Sequence, residues 1–146
     1  MFASRDMNWA NFFLSDFRLV IEYCINFLHE LQIVRITEVI EKLENVLVSQ
    51  NLSVIDSYIA EARQEHDNLP DLVKTVLYCR DGILKADLVS PTHARTMKNK
   101  FDRLLTAMKY NDLAEVDRLI NDLLPDVHNY FDQAAPTSSI NTSLTR

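Results

Sequence analysis

The side chains with the widest chemical range in this chain are four histidines and two cysteines. Such residues can bind metals, transfer protons or act as nucleophiles. Their spacing favours none of these roles, because no histidine follows a glutamate by three residues and the cysteines lack metal-ligand spacing. We expect solvated or helix-capping histidines and buried free thiols, with a disulfide as the alternative for the thiols. The residues are His29, His66, His93, His128, Cys24 and Cys79.

Glycine is almost absent, and this excludes several kinds of site. The chain has one glycine, Gly82. Phosphate-binding loops, dinucleotide fingerprints and nucleophile elbows each need two or more glycines for tight turns and close backbone approach. The sequence therefore predicts a protein that is not an enzyme, with no catalytic residues, no cofactor, no bound metal and no small-molecule substrate.

The strongest charge asymmetry lies in residues 91–110. This segment has five cations against Asp102, a net charge of +4, whereas the whole chain has a net charge of −6. A basic helix can bind nucleic acid. However, the net negative charge of the chain repels phosphate, and no aromatic side chains accompany the cations for bases to stack on. We favour a solvated helix face that balances the acidic segment after it. The candidate nucleic-acid-binding residues are Arg95, Lys98, Lys100, Arg103 and Lys109.

The stretch Trp9–Val34 is the most apolar part of the chain. On a helical wheel six of its polar residues fall on one narrow stripe, and nearly all of the remaining circumference is apolar. Such a helix is either the central helix of a bundle or one half of a symmetric dimer seam, and we favour the dimer. Aromatic side chains dominate interface hot spots. The candidate interface residues are Trp9, Phe12, Phe13 and Phe17.

Composition and periodicity predict an all-α fold, a single-domain bundle of five to six helices with a long, highly apolar first helix. One glycine and four prolines are too few for the turns of a sheet protein. The bundle should span residues 1–133, with a disordered Ser/Thr-rich tail over 134–146. The expected helices are 8–34, 36–48, 53–67, 70–87, 91–110 and 113–133.

Two features of this helix pattern leave alternatives open. Apolar residues from Phe13 through Leu31 to Val34 recur in alternating steps of four and three and form a heptad-like seam on one side of the first helix. The step from Val34 to Ile36 breaks this seam, so we expect a rotation or a tight turn near 33–37, and one continuous helix over 8–48 is the alternative. Residues 39–62 also resemble residues 100–123 at an offset of 61, and Leu69–Leu72 resembles Leu124–Val127. This similarity indicates either an internal duplication or a chance likeness between amphipathic hairpins.

Taken together, these patterns favour a non-enzymatic protein–protein interaction or regulatory module. It would act through a helical face as an adaptor, inhibitor, chaperone or immunity-type binder, and as a homodimer. Its partner would be another protein or a second copy, and a nucleic-acid-binding regulator using helix 91–110 is the alternative. The N-terminus lacks the features of a signal peptide and no stretch is apolar enough to span a bilayer, so we expect a cytoplasmic protein without a membrane partner.

Overall fold

A computed structural model describes residues 2–134 of the chain, with side chains over residues 5–132. The described part contains six α-helices and no strand, which confirms the all-α fold and the number of helices. No helix in that part is both long and apolar enough to cross a membrane. The helices are α1 (Phe2–Tyr23), α2 (Glu30–Ser49), α3 (Ile55–Asp67), α4 (Asp71–Val89), α5 (Pro91–Lys109) and α6 (Leu113–Ala134).

Local signals predict most helix starts correctly. Pro91 occupies the first turn of α5, directly after Ser90, where its fixed φ suits a helix and its missing N–H is not needed. The side chain of Asp112 caps α6 by accepting the N–H of Glu115.

Pro125 lies inside α6 without ending it. Both Pro125 and Asn121 are exposed, so the carbonyl of Asn121, which loses its helical donor, lies on the water side.

The first helix differs from the prediction. α1 ends at Tyr23 and α2 begins at Glu30, so the helix predicted over 8–34, the turn near 33–37 and the continuous alternative over 8–48 are wrong. A short 3-10 turn follows α1, and then Leu28 and His29 have extended backbone with ψ of 150° and 152°. The long, highly apolar first helix is therefore not confirmed.

Tertiary packing explains this break. α1 contacts both α2 and α3, and the turn after Tyr23 lets α2 fold back against α1. The stripe of α2 that becomes buried consists of Ile36, Val39, Leu43 and Val46. Its burial outweighs the local periodicity that makes residues 8–34 look like one helix. Leu31 and Val34, which the seam placed inside, are instead exposed.

The chain divides into two compact units, Met1–Val73 and Lys74–Arg146. The first unit contains α1, α2 and α3, and the second contains most of α4 together with α5 and α6. The assignment of residues 1–133 to one domain stays a prediction. The predicted tail lies outside the described residues beyond Ala134.

The helix hairpins α2–α3 and α5–α6 have similar turns. Glu30 begins α2 and Pro91 begins α5, and the residues are 61 positions apart. Among described non-glycine residues, only Gln50 (φ 54°) and Asn111 (φ 58°) have positive φ, and they have the same separation. The next residue caps the following helical turn in both hairpins, since Asn51 Oδ1 accepts the N–H of Ser53 as Asp112 does that of Glu115.

Burial follows the same register. Six buried residues of α2 and α3 have buried counterparts 61 positions away in α5 and α6, whereas buried Val39 corresponds to half-buried Lys100. The pairs are Ile36/Met97, Leu43/Leu104, Val46/Ala107, Ile55/Val116, Ile59/Ile120 and Ala62/Leu123. The predicted likeness of Leu69–Leu72 to Leu124–Val127 has no such support, because Pro70 precedes α4 whereas Pro125 is inside α6. The two hairpins thus share features of their turns and six matched buried positions, and internal duplication and chance likeness both stay open as explanations.

Replacement of Gly82 by alanine should destabilise the chain. A Cβ at position 82 would lie 2.5 Å from Val127 Cγ1 and 3.0 Å from its Cβ. Such overpacking costs about 1–3 kcal/mol, more than the ~1 kcal/mol that alanine gains over glycine in a helix. We expect Gly82→Ala to lower the free energy of unfolding in urea by about 1 kcal/mol. In a Val127→Ala background the same change should raise it, and a loss there as well would contradict this packing.

The positive φ of Gln50 should make glycine favourable at this turn. A side chain in the left-handed region costs about 1–2 kcal/mol, and glycine removes that cost although it is more flexible when unfolded. We therefore expect Gln50→Gly to raise the free energy of unfolding by up to ~1 kcal/mol. Asn111→Gly should gain less, because asparagine tolerates this region better than glutamine. Equal gains at both positions in urea titrations would contradict the explanation.

Candidate protein interaction surface

The structure separates the four predicted interface residues into two pairs. Phe13 and Phe17 are 2% and 0% exposed and belong to the core of the first unit. Trp9 and Phe12 are 36% and 38% exposed. Only Trp9 and Phe12 are therefore accessible to a partner without repacking, and the two phenylalanines beneath them support the surface.

The exposed pair is held by a continuous aromatic cluster. The rings of Trp9 and Phe12 meet edge to face with centroids 5.7 Å apart, and Trp9 stacks on Phe13 at 5.8 Å. Phe13 in turn stacks on Phe17 at 6.1 Å. The guanidinium of Arg63, on α3, lies 4.7 Å from the centroid of the Trp9 ring, a favourable cation–π distance. These contacts restrict the orientation of the two accessible rings.

A buried acid–imidazole pair fixes the other side of this cluster. Asp16 is 2% exposed, and its Oδ2 lies 2.7 Å from His66 Nε2. The imidazole also lies 6.0 Å from the Phe12 ring centroid and 5.5 Å from that of Phe13. A buried carboxylate is costly unless it is paired, and the hydrogen bond to His66 offsets part of that cost. The expectation of a solvated or capping His66 is therefore wrong.

The position of Asp16 on the helical wheel is a sequence signal for this pair. The polar stripe of α1 consists of residues such as Asn11, Ser15, Arg18 and Glu22, all exposed. Asp16 lies off that stripe, on the apolar side of the wheel. An acidic residue in that position needs a buried partner. The identity of His66 as the partner, 50 residues further on, depends on the packing of α1 against α3.

An open groove adjoins the exposed rings. It has a volume of about 440 Å³ and is lined by Arg5, Asn8, Trp9 and Phe12. Apolar rings beside an amide and a cation are typical of the mixed chemistry at protein–protein interfaces. We call the exposed part of these four residues the aromatic surface.

The predicted basic residues lie on α5 in the second unit, and two of them are paired. Lys98 Nζ lies 3.3 Å from Asp87 Oδ2, and an Nη atom of Arg103 lies 3.4 Å from Glu115 Oε2. Arg95 and Lys109 are exposed and Lys100 is half-buried. The hydrogen bond from Arg118 is the main cause that lowers the pKa of Glu115, which keeps this carboxylate charged beside Arg103. Part of the positive charge on α5 is thereby offset.

The groove beside Arg103 is also unsuited to phosphate. It lies where α5 meets α6, and its walls include three carboxylates as well as the exposed ring of Tyr110. These carboxylates are Asp102, Asp112 and Glu115. A phosphate in this groove would meet more negative than positive side chains.

Two further histidines tie helices of the second unit together. His93 Nδ1, on α5, lies 2.6 Å from Tyr130 Oη on α6, and His128 Nδ1 lies 2.7 Å from Tyr78 Oη on α4. His93 Nε2 also lies 3.6 Å from Asp126 Oδ2. Within the described residues, no group of three histidine, cysteine or acidic side chains is placed to hold a metal ion.

Both cysteines are buried free thiols, as predicted. Burial raises the pKa of Cys24 and of Cys79 to about 12. The reactive species of a cysteine is the thiolate. At neutral pH these side chains therefore behave as small apolar residues and not as nucleophiles.

Comparison with protein-family models, with curated proteins and with solved structures finds no match to this chain. Its function must therefore be inferred from the geometry of its side chains.

Removal of His66 should destabilise the first unit through Asp16. His66→Leu keeps an apolar contact with the phenylalanines but takes one hydrogen-bond partner from a buried carboxylate, which costs about 2 kcal/mol. We expect that loss in the free energy of unfolding measured by urea titration. The double variant Asp16→Leu with His66→Leu should recover part of it, because no carboxylate is then left buried. Additive effects of the two changes would contradict a direct coupling.

Proposed function

We propose that this chain is a non-enzymatic protein–protein interaction module that self-associates through the aromatic surface of α1. The observation that carries the proposal is the exposed pair Trp9 and Phe12 on a support of buried rings and the Asp16–His66 pair. Large, rigid aromatic side chains lose little entropy on binding and supply most of the energy at interface hot spots.

A second copy is the partner that suits this surface best. In a symmetric dimer the same patch contacts itself, so residue i of one copy meets residue j of the other and the reverse. Antiparallel pairing of two α1 helices about a point between Trp9 and Phe12 places the indole of each copy against the benzyl ring of the other. Such pairing would bury the apolar rings of the two copies against each other.

Charge predicts how this association should respond to salt. Each copy has a net charge of −6, so two copies repel each other at low ionic strength, and added salt screens that repulsion. The contacts at the aromatic surface are mainly apolar and are not weakened by moderate salt. Dimerisation should therefore become tighter as salt is raised, the opposite of the response expected for nucleic-acid binding.

The test is sedimentation equilibrium of the full chain over a range of concentrations. We expect a monomer–dimer equilibrium whose Kd rises at least about 30-fold in Trp9→Ser with Phe12→Ser, because each hot-spot side chain contributes about 2 kcal/mol or more. Leu88→Ser is the matched control, since Leu88 is 88% exposed on α4 of the second unit. It should leave the Kd unchanged, and circular dichroism should show equal helix content in all three proteins.

A strict monomer at every concentration would contradict self-association. An unchanged Kd in the double serine variant would also contradict it, and so would a Kd that increases as salt is raised. Salt-sensitive binding of DNA or RNA that is lost in Arg95→Glu with Lys98→Glu would instead support the nucleic-acid alternative.

A further inference from the structure

The solvent-facing stripe of α2 carries three large aliphatic side chains. Leu31, Val34 and Val48 are 58%, 51% and 86% exposed. They share one face of the helix with Glu38 and Glu41, because these positions follow each other in steps of three, four or seven residues. We call this face, which is distinct from the aromatic surface of α1, the α2 stripe.

The equivalent hairpin provides an internal control for this stripe. At the offset of 61 residues, the positions of Leu31, Val34 and Val48 correspond to Thr92, Arg95 and Lys109 of α5. These three are also exposed, yet they are polar or charged. Three of the four buried positions of α2, Ile36, Leu43 and Val46, correspond to buried apolar residues of α5, and Val39 corresponds to half-buried Lys100. Folding of this hairpin therefore needs apolar residues on the inside but not on the outer stripe.

Single exposed aliphatic residues are common on protein surfaces and need no explanation. Three on one helical face, at positions where an equivalent helix is polar, are a different case. Their apolar character is not needed for the hairpin, so a contact outside the hairpin explains it better.

Charge selects the chemistry of the partner. Glu38 and Glu41 lie between the aliphatic ends of the stripe, both are exposed, and the first unit as a whole is acidic. Antiparallel pairing of two copies through this stripe would align Leu31 with Val48 but would bring four glutamates together, which disfavours a second copy. A partner with cations at the centre and apolar residues around them complements the stripe.

We propose that the α2 stripe docks a basic amphipathic helix of another protein. Aliphatic residues of that helix would pack on Leu31, Val34 and Val48, and its lysines or arginines would pair with Glu38 and Glu41. This is the arrangement of a helix that lays its apolar face on a complementary surface. The chain would then join a partner through α2, whether or not α1 mediates self-association.

The test uses the full chain and a designed helical peptide with leucines along one face and lysines beside them. Binding is measured by fluorescence anisotropy of the labelled peptide. We expect saturable binding that weakens as salt is raised, because the ion pairs are exposed. A peptide with glutamate in place of every lysine should bind at least roughly tenfold more weakly.

The decisive variant gives the α2 stripe the side chains of α5: Leu31→Thr, Val34→Arg and Val48→Lys. It should fold, because α5 folds with these residues at the equivalent positions, and its affinity for the lysine peptide should fall at least roughly tenfold. Glu38→Gln with Glu41→Gln should weaken binding less and should reduce its dependence on salt. Leu84→Thr with Leu88→Lys, two exposed positions of α4, is the matched control and should bind as the original chain does.

Four results of the binding and folding measurements would overturn the proposal. They are no binding of the lysine peptide at low salt, equal binding of the glutamate peptide, equal loss of affinity in the α4 control, and loss of helix content in the triple variant of α2. The molecular mass of the triple variant is also compared with that of the original chain, both without peptide. A lower mass of the variant would show that a second copy occupies the stripe and would also overturn the proposal. None of these measurements depends on Trp9 or Phe12, so the self-association proposal can fail independently.

Discussion

Antiparallel packing of neighbouring helices across glycine-free turns is the constraint on which both units depend. The only glycine is used inside α4, where Val127 of α6 comes too close for a Cβ. The turns of the two hairpins therefore place Gln50 and Asn111 in the left-handed region, which costs about 1–2 kcal/mol for glutamine and less for asparagine. Burial of the inner faces of α2, α3, α5 and α6 offsets this cost, and the Asx caps that follow fix where the next helix begins.

The helix starts that depend on capping residues and proline could be predicted from sequence. Pro91 marks the start of α5 and the cap Asp112 marks the start of α6, because capping and proline effects act within one helical turn. The end of α1 after Tyr23 has no such marker. It depends on the gain from burying the inner stripe of α2 against α1, a long-range effect that periodicity along one segment cannot contain.

The candidate surface shows the same division. Aromatic composition and helical spacing identified Trp9, Phe12, Phe13 and Phe17 as a cluster. The separation into two exposed and two buried rings is set by α3, whose Arg63 and His66 contact the cluster. The α2 stripe could not be recognised from sequence, because the apolar periodicity of the first predicted helix places Leu31 and Val34 on its buried side. In the structure the helix ends before residues 24–29, and both side chains lie on the solvent side of α2.

The order of the contacts along the chain also bears on how the protein reaches its native state. In the first unit α1, α2 and α3 are consecutive along the chain, and each of them contacts the other two. Folds built from such local contacts form quickly, and during synthesis the N-terminal part can form first. The core around Phe13 and Phe17 can thus be complete while the second unit is still being translated. The indole of Trp9 would then be held in its exposed position by the buried rings before translation of the chain ends.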